Sequence, residues 1–148
     1  MIWKPQILIH PHIPKPLHGI APRVIEGNKW WNEIRQEAYA RYNYRCAACG
    51  IHKQFAKIKQ WLEAHEFWNI DYQTGICTIT SIEPLCHACH NFIHSGRLYA
   101  QYQNKDIGFE RIKTILEHGF QILSLNNLQC FPANLEIAQI LKIKTFNV

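Results

Sequence analysis

At 148 residues and 47% hydrophobic, the chain is long enough to bury one core and too short for two ordinary domains. No run of about 18 apolar residues is present and the N-terminus lacks a basic-then-apolar secretion pattern, which predicts a soluble, cytoplasmic protein with no membrane partner. A formal charge of +5 leans mildly toward polyanionic partners.

Residues 1–27 hold five of the seven prolines, at Pro5, Pro11, Pro14, Pro16 and Pro22, and proline excludes a continuous helix or central strand. This predicts an irregular, extended arm preceding a single domain over 28–148. Its Lys4, His10, His12, Lys15, His18 and Arg23 either follow a phosphate backbone or ride on a segment wrapped over the domain.

Asn28 is a suitable cap for a helix whose Trp30, Ile34, Ala38 and Tyr42 form one apolar stripe. The opposite face, with Lys29, Glu33, Arg35, Glu37 and Arg41, reads as solvated and self-paired. Next comes Cys46-Ala47-Ala48-Cys49-Gly50, a C-x-x-C knuckle with a glycine for the reversal.

Leu62 to Phe67 suits a short strand, Tyr72 to Gly75 a turn, and the β-branched run Ile76 to Thr80 a returning strand. A second knuckle, Cys86-His87-Ala88-Cys89, leads into a short helix expected to stop near Gly96. Asp106 reads as the cap of a further helix through Phe109, Ile112, Ile115 and Leu116, ended by Gly119. Pro132 starts a last helix through Leu135, Ala138 and Leu141. The expected fold is α+β, with a strand-strand-helix core at about 60–98 and packing helices at about 106–142.

Six cysteines suggest a disulfide scaffold, but C-x-x-C spacing in a chain without a secretion signal points to zinc. Cys46, Cys49, Cys86 and Cys89 complete a closed tetrahedron, so that site is structural and leaves no vacancy for His52 or His87. Cys77 and Cys130 have no paired spacing and read as packed thiols.

His90 and His94, four apart, share one helix face, and the strand carrying His65 must lie against that helix to close the core. Three imidazoles then meet around a second divalent cation and leave coordination positions open for water and a phosphate oxygen. The bland alternative for His90 and His94 is an exposed polar face.

Together, C-x-x-C-G, a strand bearing L-E-A-H-E and L-C-x-x-C-H-x-x-x-H resemble the HNH nucleases, with their ββα-metal (His-Me) finger and zinc ribbon, over about residues 29–98. Pro16 to Gly19, Pro22-Arg23 and Trp30-Trp31 are also similar to segments of bacterial proteins described as HNH endonucleases. The resemblance implies metal-dependent hydrolysis of DNA phosphodiester bonds, with His90 and His94 as ligands of a catalytic Mg²⁺, Mn²⁺, Zn²⁺ or Ni²⁺.

His65 is either the general base, with Glu63 or Glu66 supplying a ligand, or itself a ligand, with Glu66 in the base position. Ser81 stands where the family carries an asparagine. Arg97 reads as a phosphate clamp or a solvated arginine, and Asp71 as a carboxylate behind an imidazole or a turn residue. Trp61, Phe67, Trp68 and Phe92 read as core more readily than as base-stacking rings. The alternative implied by Ser81 and the irregular doublet is an inactive HNH-like zinc protein that binds DNA or another protein as a regulator or inhibitor.

Overall fold

The computed structural model describes residues 3–9 and 21–129; the expected last helix, Cys130 and the arm's His10, His12 and His18 lie outside them. Among the described residues the fold is α+β, with four helices and one two-stranded antiparallel sheet. A 3-10 turn, Pro5–Ile9, is followed by α1 (Pro22–Arg41), β1 (Leu62–Asp71), β2 (Ile76–Cys86), α2 (His87–Ile93), α3 (Ser95–Gln103) and α4 (Phe109–Leu125). No described helix is long and apolar enough to cross a membrane.

Helix α1 begins at Pro22, six residues before the expected cap at Asn28, and breaks its helical geometry at Gly27 (φ 88°, ψ 167°). Proline suits a first helical turn because its missing N–H has no partner there. Of the expected apolar stripe, Ala38 and Tyr42 are buried, whereas Trp30 and Ile34 are half-buried. The charged face is not uniformly solvated. Arg41 donates to the Ile82 carbonyl at 2.8 Å and approaches the buried Glu83 carboxylate at 3.8 Å, which Lys4 reaches at 3.2 Å. The start of the chain and α1 are thereby both tied to β2.

The hairpin extends well beyond the strands expected from β-propensity. β1 and β2 pair from Leu62↔Cys86 to Asp71↔Ile76, with a bulge at Phe67/Trp68, where the Thr80 hydroxyl donates to the Phe67 carbonyl at 3.1 Å. Asp71 closes the turn: its Oδ1 accepts from the backbone N–H groups of Gln73 (2.9 Å) and Thr74 (3.2 Å). It is a turn residue at the far end of the hairpin from the histidines, not a carboxylate behind one of them.

Helix α2 does not end in glycine. It stops at Ile93, near Gly96 as expected, but the break is at His94 (φ −86°, ψ 46°), and Gly96 falls in the first turn of α3. Helix α4 is capped at Gly108 rather than Asp106 and continues past Gly119 to Leu125. Gly119 is buried within it, and a Cβ there would fall inside the Phe92 ring, so the missing side chain admits that ring instead of ending the helix. Phe92 and Phe120 pack edge to face at 5.1 Å, joining α2 to α4 in one core with Leu98, Ile112, Ile115 and Leu116.

Two candidate metal centres on one short helix

The first knuckle is a tight reversal closed by Gly50 N–H donating to the Cys46 carbonyl at 2.9 Å. Gly50 has φ 76°, and the Trp3 indole lies where its Cβ would be, at 2.7 Å, so any other residue meets both strain and a clash. Ala47 N–H donates to the Pro84 carbonyl at 2.8 Å and fastens this knuckle to the end of β2. Cys86 ends β2 and Cys89 sits in the first turn of α2, so the change from strand to helix brings the second sulfur pair to the first.

All four sulfurs lie within 4.8 Å of one another, with Cys49 Sγ 3.9 Å from Cys86 Sγ. A zinc tetrahedron with bonds of ~2.3 Å has sulfur-sulfur edges of about 3.8 Å. The donor set therefore fits zinc in both chemistry and spacing. Burial opposes ionisation of Cys46, yet hydrogen bonds from Cys49, Cys86 and Cys89 hold it well below the usual thiol range. Hydrogen bonding to Cys46 and Cys49 raises Cys86 and Cys89. Such crowded sulfurs ionise together only around a cation.

Sequence alone did not reveal the group behind these sulfurs. His118, buried on α4, places Nε2 3.4 Å from Cys89 Sγ and 3.9 Å from Cys86 Sγ. A protonated Nε2 donates there to thiolate, the kind of outer contact that tunes a metal site. The signal was a histidine within an apolar helix pattern, three residues beyond Ile115 and buried with it.

One residue beyond Cys89 the second cluster begins. His65 from β1, His90 from α2 and His94 at the turn into α3 offer ligand nitrogens within 4.8 Å of one another. Their ring centroids are 4.7–5.3 Å apart, and His94 Nε2 lies 3.2 Å from His65 Nδ1. Ligand bonds of ~2.0–2.1 Å give tetrahedral nitrogen-nitrogen edges of about 3.3 Å. The spacing fits a divalent cation. His65 is 3% exposed and packs edge-on against Phe67 at 4.9 Å, so its ring is held from both sides.

Glu63 lies two residues before His65 and therefore projects from the same face of β1. Its Oε1 bonds His87 Nδ1 at 2.6 Å, its Oε2 bonds His90 Nδ1, and it accepts from Trp61 Nε1 at 3.1 Å. With Nδ1 committed, His90 has Nε2 left for a cation. Burial raises the Glu63 carboxyl, but the hydrogen bonds from His87, His90 and Trp61 outweigh it and hold the group well below the usual carboxylate range. Glu63 thus stands behind a candidate ligand histidine, the position expected for Asp71.

The remaining candidates are spread around the cluster. Glu66 follows His65 on the strand, so strand alternation sends its side chain to the opposite face, and it is not part of the histidine group. Ser81 pairs with Phe67 at the bulge. Arg97 is exposed on α3, with Nη2 3.5 Å from Oδ1 of Asn91, whose own Nδ2 donates to the His87 carbonyl at 2.8 Å. Phe67 and Phe92 are core, Trp68 is half-buried, and Trp61 is exposed in a cleft of about 570 Å³ that opens beside His90. Cys77 is half-buried on β2. No protein-family model, curated protein or solved structure matches the chain.

Proposed function

We propose that the chain is a metal-dependent endonuclease of the HNH type that hydrolyses DNA phosphodiester bonds at the His65–His90–His94 centre. One observation carries this: three imidazoles from separate elements converge at cation-binding spacing beside a four-cysteine group that is already a complete ligand set. Three protein ligands leave coordination positions for water and substrate, which a closed structural site does not. The strand-strand-helix order of β1, β2 and α2 around the cluster supports this reading.

A divalent cation held there supplies Lewis-acid stabilisation of charge developing on a phosphate and its leaving oxygen. His65, facing His90 and His94, would act as a ligand rather than the base, and the attacking water, made acidic by a cation held there, would give its proton to solvent. Glu63 fixes the tautomer and the direction of the His90 ring. Arg97, the exposed cation next along the chain, binds phosphate oxygens through its planar fork of donors.

A second reading is favoured by Glu66 lying on the far face of β1 and Ser81 occupying the asparagine position: an HNH-like zinc protein that binds DNA without cutting it. Supercoiled plasmid separates the two. Metal-dependent nicking with Mg²⁺, Mn²⁺, Ni²⁺ or Zn²⁺, abolished in His65→Ala, His90→Ala and His94→Ala while each variant keeps its structural zinc, supports the hydrolase. Tight DNA binding with no nicking under any of these cations supports the binding protein, and equal nicking by the three variants removes the catalytic assignment.

A further inference from the structure

We propose that the cleft between α1 and the start of β1 is a stacking subsite for an unpaired nucleotide of the DNA strand whose phosphodiester lies at the histidine centre. The proposal rests on the nuclease reading and adds to it a substrate class and the residues that select it.

The cleft of about 570 Å³ is large enough for a nucleotide, and its lining includes His90 and Glu63, so it borders the candidate metal centre on the His90 side. Three cations line it, Arg23, Arg35 and Lys53, together with the rings of Trp31, Tyr44 and Trp61. Trp61 is 49% exposed and Tyr44 40%, so both rings keep surface open to a ligand in the cleft. Glu63, the one carboxylate in the lining, is already engaged by His87, His90 and Trp61. The charge left over is positive and suits a phosphate.

The ring positions are set by the chemistry beside them. Trp61 Nε1 donates to Glu63, the carboxylate that also holds His90, so one residue fixes both a stacking platform and a ligand imidazole. Lysine amines lie over two of these rings: Lys53 Nζ is 4.6 Å from the Tyr44 centroid and Lys59 Nζ 4.6 Å from that of Trp61. Both amines sit on flexible stems and can swing from ring to phosphate. In a duplex each base already has both faces covered by its neighbours, so such rings are reached only by a base outside the stack. Aromatic faces among backbone-binding cations form the usual platform for single strands.

The test uses the full chain loaded with structural zinc and no second cation, titrated into a fluorescently labelled short oligodeoxythymidylate, with anisotropy as the readout. Single strand should bind at least about tenfold more tightly than duplex of equal length, and Trp61→Ala should remove about tenfold of that affinity. Trp61→Phe, which keeps the ring and loses the N–H, should restore most of it. An oligonucleotide of the same length made of abasic sugar-phosphate should bind the wild type no better than the thymidylate binds Trp61→Ala. Equal affinity of wild type and a folded Trp61→Ala for single strand, or a preference for duplex, overturns the subsite. Because no turnover is involved, single-strand binding without plasmid nicking keeps the subsite and removes the hydrolase; nicking with an unchanged Trp61→Ala does the reverse.

Discussion

His118 Nε2 lies 3.4 Å from Cys89 Sγ, so an α4 residue 29 positions beyond its partner reaches the last sulfur of the brace. Buried thiolates are stabilised by donors of this kind, and their loss exposes the metal-sulfur bonds to competition. His118→Ala is expected to keep the fold yet to release zinc to a chromogenic chelator about 10–100 times faster than wild type. An unchanged release rate would show that the contact is packing alone.

Glu63 governs the second centre in the same way. Replacing it with Gln keeps its size but removes the charge that His87 and His90 both engage. The affinity of the histidine centre for Zn²⁺ or Ni²⁺ should fall about 10–100-fold while the structural zinc is retained. Calorimetric titration of the second metal equivalent, set against elemental analysis for the first, reads the two effects separately.

Packing at Gly119 gives a prediction independent of any metal. Gly119→Ala places a methyl group inside the Phe92 ring's volume, in a core that cannot open cheaply. Overpacking of this kind costs ~1–3 kcal/mol, a fall of roughly 2–12 °C in Tm for a domain of this size. Adding Phe92→Leu should recover part of that loss, because the two positions share one space. Thermal denaturation followed by circular dichroism measures both.

Withdrawing the structural zinc should be far more damaging than any of these changes. The sulfurs join the first knuckle to the junction of β2 and α2, and zinc binding energy in such sites is folding energy. Cys86→Ser, or prolonged chelation of the wild type, is expected to abolish the cooperative thermal transition. A sharp transition at an unchanged temperature would overturn the structural role.

The four sulfurs and two of the imidazoles were legible in the sequence because they lie in local patterns, C-x-x-C twice and histidines one helical turn apart, and His65 followed because its strand must close against that helix. What closes those sites from outside was not. Glu63 could have been found by strand alternation, being two residues from His65, but its partners follow from the hairpin register that places Leu62 opposite Cys86. His118 reaches the sulfurs only through α4 packing, which no local pattern encodes. The glycines misled for a related reason. Gly96 and Gly119 look like helix stops by propensity, yet α3 runs through one and the Phe92 ring occupies the space beside the other. At Asp106, capping preference gave way to Gly108, two residues later.

Helix α2 is only seven residues long, yet it carries Cys89 and His90 side by side, with Cys86 just before it and His94 just after. Two of the three imidazoles, His90 and His94, consequently take their placement from the thiolate anchor, while His65 is held by the hairpin. A newly synthesised copy whose four sulfurs have not yet closed on zinc should therefore be unable to grip a second cation at His65, His90 and His94, so the two sites would fill in a fixed order.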